Sequence, residues 1–127
     1  MILVIYLSII KTFSFAFVQN EGEKEREKTC MARESKFQSD LIKELKIRFP
    51  GCFVTKLDSG HTQGIPDLLI LWNDRWATLE CKKSKNAKHQ PNQNYYVNKM
   101  NEMSFSAFIY PENKEEVLHE LQQAFRV

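Results

Sequence analysis

Cysteine is scarce in this chain of 127 residues. Cys30, Cys52 and Cys81 form neither a CxxC pair nor an even set, which argues against a disulfide framework and a structural zinc site and suits a reducing cytoplasm. An excess of charge of either sign is also lacking: the formal net charge is +2. Overall charge therefore says little about nucleic acid, and local clustering of lysine must decide. There is no internal repeat, and the one biased tract is the charged run from Glu21 to Lys28. The length allows one domain with a core able to fold alone, without room for a second catalytic module.

Residues Met1 to Val18 are strongly apolar but contain Lys11 and several Ser and Thr. Neither a basic n-region nor a small-residue cleavage site is evident, so a signal peptide is not indicated. A membrane span needs about twenty apolar residues, which makes this run marginal. Met31 stands just before the first helix of the domain. The chain thus divides into an extension, 1–30, and a domain, 31–127. Three readings of the extension stand open: an upstream start that is not part of the protein, a membrane-associated segment anchored by 1–18, and a helix packed on the domain.

Within the domain, Phe37, Leu41, Ile42, Leu45 and Phe49 recur at helical spacing from Glu34 to Phe49, and Pro50-Gly51 ends the element. Phe53 to Leu57 reads as a short strand. After the polar loop Asp58 to Gly64, Leu68 to Trp72 is an apolar run suited to a buried strand, turned at Asn73-Asp74-Arg75 into Trp76 to Lys82 as a hairpin. Pro91 suits the first turn of a helix to about Glu102, with Tyr96, Val97, Met100 and Met103 on one side. Phe105 to Tyr110 is a strand closed by Pro111. Asn113 and Glu116 have the spacing of a capping box before a last helix, whose buried side is Val117, Leu118, Leu121 and Phe125. The order αβββαβα implies an α/β fold, one mixed sheet flanked by helices.

The residues that carry chemistry lie on the hairpin. Asp67 sits at the entrance of one strand, and Glu80 and Lys82 are two residues apart on the next, so they share a face while Cys81 points away. A Glu and a Lys on one face of an apolar strand are costly to bury without partners, and a divalent cation held by Asp67 and Glu80 supplies one. Taken singly, Asp67 reads as a turn residue after Pro66, and Glu80 with Lys82 as an edge-strand ion pair.

Together, Pro66-Asp67 followed by Glu80-Cys81-Lys82 resembles the motif of the PD-(D/E)XK nuclease superfamily. Two flanks strengthen the likeness. The loop Leu57 to Gly64 resembles the Ser/Gly-rich loop of archaeal-type Holliday junction resolvases, and Gln90-Pro91-Asn92-Gln93 opening a helix is similar to stand-alone VRR-NUC domains. The resemblance covers Arg33 to Phe125 and departs at Cys81, where Val or Ile is more usual. It implies a restriction-endonuclease-like core and a Mg²⁺ ion, replaceable by Mn²⁺, held by Asp67, Glu80 and the backbone carbonyl of Cys81. In that family Glu34 matches an additional metal ligand on the first helix, Lys82 the residue that orients water, and Gln93 a glutamine facing the active site. Gln90 is a weaker candidate for the glutamine role. An acid in the first turn of a helix is also favoured by the helix dipole alone.

Lys82, Lys83, Lys85, Lys88 and His89 cluster beside this site, as phosphate-neutralising groups do, and Ser59, His61 and Thr62 lie in the loop before Asp67. The expectation is a Mg²⁺-dependent endonuclease, cytoplasmic and soluble as in phages or prokaryotes, acting in DNA repair or recombination. Without a sequence-reading domain it would select DNA by shape, branched DNA included, and paired incisions would call for a homodimer. The rival class is a non-catalytic DNA-binding or membrane-tethered interaction protein that keeps the fold. Retention of Asp67, Glu80 and Lys82 together argues against it.

Overall fold

The computed structural model describes the backbone of residues 2–126 and the side chains of residues 20–126. The apolar segment 1–18, the candidate anchor, therefore lies outside the residues whose side chains are described. The chain divides into two compact units, Met1–Arg33 and Glu34–Val127. Helix α1, Ile2–Arg48, contributes to both. Among the described residues no helix is long and apolar enough to cross a membrane.

The second unit is α/β, in the order αβββαβα. Strands β1 (Phe53–Lys56), β2 (Leu68–Trp72), β3 (Arg75–Cys81) and β4 (Phe105–Ile109) form one sheet in that spatial order. The first three pair antiparallel, and β4 runs parallel to β3. A two-residue turn, Asn73-Asp74, joins β2 to β3, with Asn73 taking the left-handed conformation (φ 53°) that asparagine tolerates. Parallel pairing needs a crossover, and helix α2 (Gln93–Met103) supplies it between β3 and β4. Helix α3 (Lys114–Phe125) closes the chain.

Strand alternation sorts side chains onto two faces. Leu68, Ile70, Ala77, Leu79, Cys81 and Ile109 are buried with Leu41, Leu45 and Phe49 of the α1 end and with Val117, Leu118, Leu121 and Phe125 of α3. Phe49 packs edge-on against both Trp72 and Phe125, and the Trp72 indole N–H donates to the Pro50 carbonyl at 2.9 Å. Thr78, Glu80 and Ser106 point to the other face, which α2 covers. There the Thr78 hydroxyl lies 2.8 Å from that of Ser106 and 3.4 Å from the Met100 sulfur.

Several boundaries differ from the sequence expectations. Strand β1 stops at Lys56, although the Leu57 N–H still donates to the Asp67 carbonyl, and β3 covers Arg75–Cys81 rather than Trp76 to Lys82. Helix α2 starts at Gln93, because Asn92 adopts φ 68° and leaves Pro91 in the preceding turn. Met103 is 65 % exposed, and the buried residues of α2 are Gln93 and Val97. The capping box does not form. Asn113 turns back instead, accepting from the Tyr110 N–H at 2.8 Å and donating to the Phe108 carbonyl at 3.0 Å, which ends β4 at Ile109.

Gly64 fixes the loop before β2 to the turn before α2. Its φ is +88°, and a Cβ there would stand 2.7 Å from the Asn92 backbone and the Pro91 carbonyl oxygen. Gly64→Ala should combine left-handed strain with a backbone clash and cost about 2–4 kcal/mol, read as a lower denaturation midpoint. Unchanged stability would show that the loop and turn do not press together.

Candidate functional site

Pro66 is buried and disfavours helical backbone at the residue before it, and the chain bends at Asp67 as it enters β2. Asp67 immediately precedes Leu68, and Leu68 pairs with Leu79, which sets Asp67 beside Glu80 on the face covered by α2. One Asp67 oxygen, Oδ2, accepts the Cys81 N–H at 2.9 Å. The aspartate thus ties the start of β2 to the end of β3.

Glu80 is 2 % exposed and Lys82 5 %, two buried charged residues, one within β3 and one just past its end. The Lys82 ammonium lies 3.5 Å from Glu80 Oε1 and donates to the Lys88 carbonyl at 3.4 Å. Gln93 donates from Nε2 to the same Glu80 oxygen at 2.5 Å. Its own Oε1 accepts the Gln90 N–H at 2.8 Å, which turns the amide so that its NH₂ faces the acid. Glu80 Oε2 is buried and has no hydrogen-bond partner among the described residues.

The charges do not balance. Burial raises Asp67 above the ordinary carboxylate range, against the pull of the Cys81 N–H and of Lys82. Burial, then Asp67, push Glu80 up to about 8 despite Lys82. Glu34, half-buried on α1, is raised by burial and by Asp67, while Lys82 and the Lys83 N–H lower it. Lys82 is the buried ammonium beside these three acids, the charges of Lys56 and Lys83 act on Asp67 and Glu34 from the surface, and Glu80 is the acid pushed furthest toward its protonated form.

Among the described residues no three His, Cys, Asp or Glu side chains form a ready-made metal cage. Mg²⁺ does not require one, since it usually takes one or two carboxylates and keeps waters. The orphaned Glu80 oxygen and the second oxygen of Asp67 are hard donors that fit such an ion. Glu34 is joined to them through charge alone. Cys81 ends β3 between the acid and the lysine, with its thiol buried on the opposite face and its ionisation suppressed by burial.

The remaining candidates are exposed around this centre and meet it through backbone groups, the Lys88 carbonyl and the Lys83 and Gln90 N–H groups. Lys83, Lys85 and Lys88 are exposed on the connection from β3 to α2. Ser59 and His61 are exposed in the loop before β2, and Gln90 is exposed and meets the centre through its backbone N–H. Phe108 is a neighbour that the sequence did not mark. It pairs with Glu80 across β3 and β4, a relation fixed by the parallel register and invisible in the periodicity of β4 alone. Comparison of the chain with protein-family models, with curated proteins and with solved structures gives no match.

The raised Glu80 sets a pH dependence of stability without added metal. Below about pH 4.5 the folded and unfolded chains both carry the proton and there is no cost. Between that value and about 8 the unfolded chain releases it while the folded one retains it, so stability falls as pH rises, and above about 8 the cost is complete. Glu80→Gln should remove on the order of 1–3 kcal/mol of this loss, measured as melting temperature from pH 5 to 9. An unchanged pH profile in the variant would show that Glu80 does not carry the unmet charge.

Proposed function

We propose that this protein is a divalent-cation-dependent endonuclease hydrolysing DNA phosphodiester bonds, of the PD-(D/E)XK type its motif resembles. One observation carries the reading: a buried acid, Glu80, with one oxygen held and one left bare, stands beside Asp67 and a buried lysine. A Mg²⁺ or Mn²⁺ ion, when bound, would offset charge on the phosphate and lower the pKa of a water.

The chain's own groups divide the rest of the task. Gln93 fixes one oxygen of Glu80 and so aims the other. Lys82, held by Glu80 and braced by the Lys88 carbonyl, has a third donor to orient the attacking water or to meet negative charge developing on the phosphate. The Cys81 N–H holds Asp67 in register with Glu80. Lys83, Lys85 and Lys88 would neutralise DNA phosphates at the rim, with Ser59 and Gln90 as uncharged backbone contacts. On this reading the rim lysines contact the DNA backbone rather than base edges, which suits selection by DNA shape, and coordinated cutting of a junction would require a homodimer.

With linear, flapped and four-way-junction DNA and Mg²⁺, the full chain should cut at least one substrate and be inactive in a chelator. Asp67→Ala and Glu80→Ala should each lower cleavage on the order of a thousandfold, the size of a lost metal ligand. Lys82→Ala should lose about a hundredfold and still bind DNA. Undiminished cutting by Glu80→Ala would refute the reading.

A further inference from the structure

Residues Lys88 to Gln90 are pinned at both ends to the candidate site. The Lys88 carbonyl accepts from Lys82, and the Gln90 N–H donates to Gln93, the residue that holds Glu80. His89 lies between them. Its ring stacks on Phe108 with centroids 4.1 Å apart and planes 16° from parallel, and its Nδ1 lies 2.6 Å from Asn94 Oδ1. Phe108 in turn is the β4 partner of Glu80. An exposed ring is therefore fixed at one face, one edge and both backbone neighbours, over the cross-strand partner of Glu80.

A hydrophobic cover for Phe108 would not need such fixation. A planar ring with one face on an aromatic neighbour and the other toward solvent is a two-layer stack awaiting a third layer, and holding it in place beforehand removes most of the ordering cost of adding one. Nucleobases stack on aromatic side chains in this way, with little dependence on sequence. A base inside a duplex already has both faces occupied by its neighbours.

We propose that the free face of His89 is a stacking platform for one unpaired nucleobase of the DNA, next to the phosphate that meets Asp67 and Glu80. The inference rests on the nuclease reading and deepens it: the substrate class is DNA with an unpaired nucleotide at the cut, such as a flap, a single strand or an opened branch point. Lysines at the rim hold either kind of DNA, whereas His89 distinguishes the open one.

The test measures binding, without divalent cation, of a single-stranded oligonucleotide and of a relaxed, covalently closed duplex circle, for the full chain and for His89→Ala and His89→Phe. His89→Ala should weaken single-strand binding about tenfold, the size of one lost base stack, and leave duplex binding within about twofold. His89→Phe should restore it, and 2-aminopurine placed along the strand should be quenched at one position by the wild type and by His89→Phe alone. Equal losses on both DNAs, no loss on either, or failure of His89→Phe to rescue would overturn the platform. Wild-type protein that stacks the base yet never cuts DNA would refute the nuclease reading alone, and cutting without stacking would refute this inference alone. Binding to neither DNA would refute both.

Discussion

Glu80 is buried in the interior of a sheet where its neighbours hold it without satisfying it. Gln93 and Lys82 converge on one oxygen, and the other is buried with no hydrogen-bond partner among the described residues, while the charge of Asp67 acts on the same acid. Leaving a buried polar atom unpaired costs about 1–3 kcal/mol and more when it carries charge, so the surrounding packing must supply that stability. It does so on the opposite face. Leu68, Ile70, Ala77, Leu79 and Cys81 bury their side chains against α1 and α3, independently of how the acids are protonated. The division of the two faces lets one strand serve as core and site at once.

The site then follows from where strands end. Asp67 precedes β2, Lys82 follows β3, and the parallel partner β4 brings Phe108 alongside Glu80. The α2 crossover, required by that parallel pairing, returns Gln93 to the acid and draws Lys88 to Gln90 along the rim. Gly64 matters at this junction: the absence of a side chain lets the loop before Asp67 close onto the turn before Gln93. Two segments distant in sequence are thereby held together, one leading to Asp67 and the other to Gln93.

Much of this was legible in the sequence where periodicity or spacing is local. The apolar stripe Leu41, Leu45, Phe49, the strand Leu68–Trp72 and the shared face of Glu80 and Lys82 depend on residues a few positions apart. What was missed depends on competition between neighbours. Pro91 signals a helix start, but a left-handed Asn92 delays it to Gln93. Asn113 and Glu116 have capping-box spacing, yet the Tyr110 N–H and the Phe108 carbonyl engage the Asn113 amide instead. Met103 falls on the apolar side of α2 by spacing, but it lies at the last turn and stays exposed. The stack of His89 on Phe108 was beyond reach for a different reason, since it exists only once β4 has paired parallel to β3.

The proposed divalent cation would be held by the bare oxygen of Glu80 and the second oxygen of Asp67. Anomalous diffraction from crystals of the protein soaked in Mn²⁺ tests it most directly. The account requires a single strong peak between the two carboxylates, about 2.0–2.3 Å from an oxygen of each, with Lys82 still in contact with Glu80. Well-ordered carboxylates with no peak between them at saturating Mn²⁺, or a peak bound elsewhere on the domain, would contradict it.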